Sequence, residues 1–112
     1  MVRILLERWG LSVPDAALLL ASDPTAIERW RDAAGEAAIG AEQSERVALI
    51  RSIYRTLSDL VPDQDAVDAW MTRRNDTQIC AGRAPIDVLR ERDDRVACLR
   101  EIQRYLLGEL YG

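Results

Sequence analysis

Apolar residues along this chain recur at intervals of three and four, and no alternating run is long enough to form a strand. The pattern predicts an all-α fold. Val2 to Trp9 carries Ile4, Leu5 and Trp9 at helical spacing and stops at Gly10, a residue suited to a helix C-terminus. Ser12 is placed to cap the next helix, with Pro14 and Asp15 in its first turn, where a missing N–H and a negative charge are both tolerated. The apolar run Ala16 to Ala21 that follows is expected to be nearly enclosed. Asp23 and Pro24 start a third helix in the same way, with Ile27 and Trp30 inward and Thr25, Glu28, Arg29 and Arg31 toward solvent.

Ala33 to Ala41, rich in alanine and glycine, is expected to be a linker. The longest helix is predicted from Glu42 to Val61, with Val47, Ile50, Ile53, Tyr54, Leu57 and Leu60 forming one continuous stripe. Pro62 ends it, and Asp63 restarts a helix that carries Val67, Trp70 and Met71 as core residues. Asn75 marks a turn, and Ile79 and Pro85 bracket a second turn at Gly82. Pro85 opens a short helix with Ile86 and Leu89 inward. A final helix from about Asp94 to Leu107 is expected to bury Val96, Leu99, Ile102 and Leu106 and to end at Gly108, leaving Glu109 to Gly112 as a tail. The division expected is residues 1–61, an N-terminal unit with the long helix, and residues 62–112, a small C-terminal unit. The long helix serves as a spine to both.

Composition narrows the chemistry. The apolar fraction of 48% supports a real core. The apolar run from Ala16 to Ala21 is too short to span a bilayer, and charges alternate with apolar residues from Arg3 to Arg8 as in no secretory signal, so a soluble cytoplasmic protein is expected. All 15 basic residues are arginine, and histidine, lysine and phenylalanine are absent. Without histidine the commonest general base and metal ligand are missing, and Cys80 and Cys98 alone cannot hold zinc. No catalytic residue, metal site or cofactor is therefore expected, and the chain does not read as an enzyme. Net charge is −4, shared evenly between the halves, so neither half is an electropositive nucleic-acid module.

Two segments carry a resemblance. Leu11 to Trp30 resembles the helix-turn-helix of the Xre/Cro class: Ala17 stands where two helices cross closely, Ala21 in the turn, and Ile27 and Trp30 at the buried positions of the recognition helix. The pattern W-M-x-x-x-N, then I-x-A-G-R-x-P-I-D-x-L, then an apolar helix with a glycine resembles the toxin-binding domain of the Xre/MbcA/ParS antitoxins. The match runs through Trp70, Asn75, Ile79, Gly82, Arg83, Pro85, Asp87, Leu89 and Gly108.

That resemblance implies an antitoxin whose partner is a RES-domain toxin that consumes NAD or transfers ADP-ribose from it. It implies that Glu109, Leu110, Tyr111 and Gly112 cover the toxin's active-site entrance. Asn75 and Arg83 would shape the supporting loop, with Pro85 and Gly108 as further interface positions. It also implies repression of the protein's own operon. Thr25, Arg29 and Arg31 are the credible DNA contacts, used through a dimer or larger assembly because Pro24 and Glu28 read bases poorly. The alternative is a helix-turn-helix transcriptional regulator that needs no toxin.

Overall fold

Each helix start follows from a residue that satisfies free backbone N–H groups. In the computed structural model, which describes residues 1–32 and 39–112, Ser12 Oγ accepts from Asp15 N at 3.2 Å and opens α1, Val13–Leu19. Asp23 Oδ1 accepts from Ala26 N at 2.9 Å and opens α2, Pro24–Arg29. The spine is α3, Ser44–Leu60, led in by a 3-10 turn at Ala41–Gln43. Asp63 caps α4, Gln64–Ala69. The last two helices are α5, Pro85–Glu91, and α6, Arg95–Tyr111, the latter capped by Asp94. Among the described residues the fold is all-α, and no helix is long and apolar enough to cross a membrane.

Four local expectations need correction. The N-terminal helix contains a π-helical turn at Ile4–Arg8, with Trp9 N bonding Ile4 O at 2.9 Å. Widening the turn lets Val2, Leu5 and Trp9 all be buried. Trp70 is only half-buried, in a 3-10 turn (Trp70–Thr72) that tightens the end of α4, and Met71 takes the core position instead. Val96 is half-buried and Cys98 replaces it in the core. Above all, Gly108 does not end the last helix: α6 passes through it to Tyr111, and Gly112 N bonds Gly108 O at 2.7 Å. The expected linker Ala33 to Ala41 lies mostly outside the described residues.

The core is one continuous cluster drawn from both halves of the chain. Leu49, Ile50, Ile53 and Leu57 of α3 face Cys98, Leu99, Ile102 and Leu106 of α6. Each such aliphatic side chain contributes about 1.5–3 kcal/mol by leaving water. Polar contacts fix the register: Arg100 pairs with Glu45, and Gln103 Nε2 donates to Ser52 Oγ at 2.9 Å. Leu107 and Leu110 then share a crevice with Thr56 and Asp59. Partners advance together along both helices, so α3 and α6 run side by side in the same direction.

The remaining helices close around this pair. Arg46 of α3 donates to Leu19 O at 3.0 Å, satisfying the end of α1. Arg95 does the same for α5 through Leu89 O at 3.0 Å and Arg90 O at 3.2 Å. The α1 and α5 helices touch, and Arg90 holds Asp15 in a two-pronged bond at 3.0 and 2.6 Å. The radius of gyration, 13.5 Å, matches a single packed body of this length.

Candidate functional site: a closed loop beside the last helix

Asn75 begins the loop that the sequence marks as irregular, and its side chain organises it. Asn75 Oδ1 accepts from Thr77 N at 3.1 Å and from Thr77 Oγ1 at 2.7 Å, a turn held by the side chain in place of backbone. Thr77 in turn accepts from Cys80 N at Oγ1 (3.2 Å) and from Ala81 N at its carbonyl (2.7 Å). The two ends are then tied: Gly82 N donates to Asn75 O at 2.8 Å, and Asn75 N to Arg83 O at 3.2 Å. The reversal requires positive φ at two successive residues, +50° at Ala81 and +87° at Gly82. Only Gly82 adopts such a conformation without a steric cost.

The result is a loop that is ordered without being buried. Cys80 is its anchor in the core, while Arg73, Arg74, Asp76, Gln78 and Arg83 are exposed. Arg83 Nη1 donates to Glu91 Oε2 at 2.6 Å, which raises the Arg83 pKa and lowers that of Glu91. Pro85 is buried and fixes the start of α5, so its role at this site is to hold the loop's exit in place. Asn75 is half-buried, and its Nδ2 is enclosed without a hydrogen-bond partner. Of the loop residues singled out from sequence, Arg83 alone presents its side chain outward.

Between the loop and α6 lies a groove of about 540 Å³ lined by Gln78, Ile79, Arg92, Glu101, Arg104 and Tyr105. Arg92 Nη2 donates to Glu101 Oε1 at 3.1 Å across one end. Beyond the groove, Gly108, Glu109 and Tyr111 of α6 are exposed and Leu110 is half-buried, and Leu110 and Tyr111 both line a crevice against Ser52, Arg55 and Thr56 of α3. Tyr111 is 82% exposed and Tyr105 37%, and these are the exposed large hydrophobic residues among those described. The expected tail is therefore the last turn of α6, so Glu109, Leu110 and Tyr111 are helical.

Sequence reasoning missed Thr77, although an Asn followed two residues later by Thr is a side-chain turn signal. It also passed over Arg92, Arg104 and Tyr105, which lie on the polar side of the final stripe and look like an ordinary solvated face. Cys98 is buried beneath this region, and desolvation pushes its thiol pKa up.

The second candidate surface is α2. Its predicted burial pattern holds: Ala26, Ile27 and Trp30 are buried, and Thr25, Glu28, Arg29 and Arg31 are exposed. Ala17 is buried, and Ala21 in the turn has φ +50°, a conformation glycine would take more easily. Arg31 is tied to Glu28 at 3.0 Å, while Thr25 and Arg29 make no side-chain bond among the described residues. The surface thus offers two unengaged groups beside a glutamate.

No family model matches the chain, and no solved structure matches it. Over 107 residues it is 29% identical to a protein of Sinorhizobium fredii (strain NBRC 101917 / NGR234) that carries the name "Uncharacterized protein y4oB". The alignment covers 95% of this chain and 78% of that protein.

Proposed function

We propose that this protein is the antitoxin of a type II toxin–antitoxin system, and that it neutralises a RES-domain toxin by covering the entrance to the toxin's NAD site. The reading rests first on the resemblance carried by Trp70 to Gly108. The structural observations that support it are an ordered, exposed loop at Asn75–Arg83 and, separately, an exposed Tyr111 in the last turn of α6. A tyrosine 82% exposed gains little for its own fold, yet it is the kind of side chain that anchors protein interfaces. A pre-set loop and helix also lose little entropy on docking. The acidic net charge suits a cover over a pocket built for nucleotide phosphates.

The test is to induce the adjacent open reading frame in a sensitive host, with and without this chain, and to follow growth and cellular NAD. Wild-type protein should restore both. Tyr111→Ala should leave the free protein's melting curve unchanged and weaken the complex by about tenfold or more, as expected for a central aromatic anchor. Full protection by a chain lacking the Tyr111 side chain would remove the covering mechanism.

A second reading, a DNA-binding regulator acting without a toxin, is favoured by the unengaged Thr25 and Arg29 on α2. Purified protein would then bind its own promoter with an affinity that falls steeply as salt rises. Arg29→Ala would reduce that binding; an identical titration by the variant would argue against it.

A further inference from the structure

We infer that the groove between the Asn75–Arg83 loop and α6 receives a short acidic, aliphatic segment of a protein partner. The inference rests on reading this face as a docking surface, and it is independent of the partner's enzymatic class.

The lining determines what fits. Ile79 and the ring of Tyr105 supply apolar surface, while Gln78, Arg92, Arg104 and the Tyr105 hydroxyl are hydrogen-bond donors. Glu101 is the one carboxylate in the lining, and Arg92 already holds it at 3.1 Å. That leaves Arg104, which makes no hydrogen bond or ion pair among the described residues. A chain of net charge −4 thus places an uncommitted guanidinium beside an apolar strip. The neighbouring Arg73 and Arg74, exposed at the loop entrance and also without ion pairs there, add to the positive character of this side.

A guanidinium takes a carboxylate through two parallel N–H bonds, and an adjoining aliphatic side chain would cover Ile79 and Tyr105. A basic segment would meet Arg92 and Arg104 unfavourably, and a purely apolar one would leave Arg104 without a partner. The groove therefore selects Asp or Glu next to Leu, Ile or Met.

The experiment is selection of random 12-residue peptides displayed on phage against the immobilised full-length chain, with Arg104→Glu and Ile79→Asp as comparison surfaces. Arg104 is exposed and unpaired, so its reversal leaves the fold intact, and a circular dichroism melt of each variant verifies this. Enriched peptides should share an acidic residue beside an aliphatic one. Synthetic copies should bind Arg104→Glu at least about tenfold more weakly than wild type, and less tightly as salt rises. Enrichment of peptides without an acid, equal binding to Arg104→Glu, or no enrichment over a blank surface would each overturn the inference. Loss of toxin neutralisation and loss of peptide selection are separate readouts. Selection with no protection from any adjacent toxin would remove the antitoxin reading and leave the groove's specificity standing.

Discussion

Ala81 and Gly82 lie side by side in the left-handed region, and Ala21 repeats that conformation in the turn between α1 and α2. An alanine there carries a steric penalty of about 1–2 kcal/mol, partly offset because alanine restricts the unfolded chain more than glycine does. Ala81→Gly should therefore stabilise the protein by about 0.5–1 kcal/mol in urea unfolding. The Asp15–Arg90 pair gives a pH-dependent expectation. The hydrogen bond from Arg90 is the main cause that lowers the Asp15 pKa, with burial opposing it. A lowered folded-state pKa means that the stabilisation is present above the ordinary aspartate range, about pH 4, and is lost as acid protonates the folded carboxylate. The Asp15 side chain is only 14% exposed, but that of Arg90 is 47% exposed, so solvent still screens the pair and keeps its contribution small. Arg90→Ala should cost no more than about 1 kcal/mol at neutral pH, and the variant and wild-type stabilities should converge as pH falls through the lowered folded-state pKa of Asp15.

At the scale of helices, capping chemistry made most starts readable. Ser12, Asp23, Asp63 and Asp94 each accept from a backbone N–H in the first turn, and Pro24 and Pro85 occupy first helical positions. Ends were harder, because a glycine inside a helix and a glycine after one look alike in sequence. Gly108 costs α6 about 1 kcal/mol relative to alanine, yet Leu107 and Leu110 on either side of it pack toward α3 and carry the helix through. A Cβ at Gly108 would meet nothing within 4 Å. Gly108→Ala should raise stability by about 0.5–1 kcal/mol in a thermal melt of the free protein. The groove was less legible than the helices for a physical reason: Ile79 and Tyr105 are 26 positions apart in the chain. Only the tertiary packing of the loop against α6 makes them neighbours.

Taken whole, the molecule depends on the α3–α6 contact, in which two long helices from opposite halves of the chain share their buried faces. Ile53 is fully buried there, so Ile53→Ala should cost about 2–5 kcal/mol and lower one common unfolding transition. Separate transitions for residues 1–61 and 62–112 in calorimetry would contradict that expectation. The apolar stripe of α3 was visible from its spacing, and its role as a spine followed from its length. The direction of α6 beside it depends on Glu45–Arg100 and Ser52–Gln103, long-range pairs with no local signature.

The helix that presents Tyr105 beside the loop is also the one whose buried face seals α3. Anything that clamps the Tyr105 side of α6 must therefore slow the opening that exposes the amides of α3, which packs directly against its buried face. Hydrogen–deuterium exchange at Leu49, Ile50 and Ile53, all buried in the core, should slow when the groove is occupied. A protease that clips within α6 would, by the same coupling, remove the groove and the fold together. A ligand held in the groove should then lengthen the chain's lifetime by the factor with which it suppresses opening.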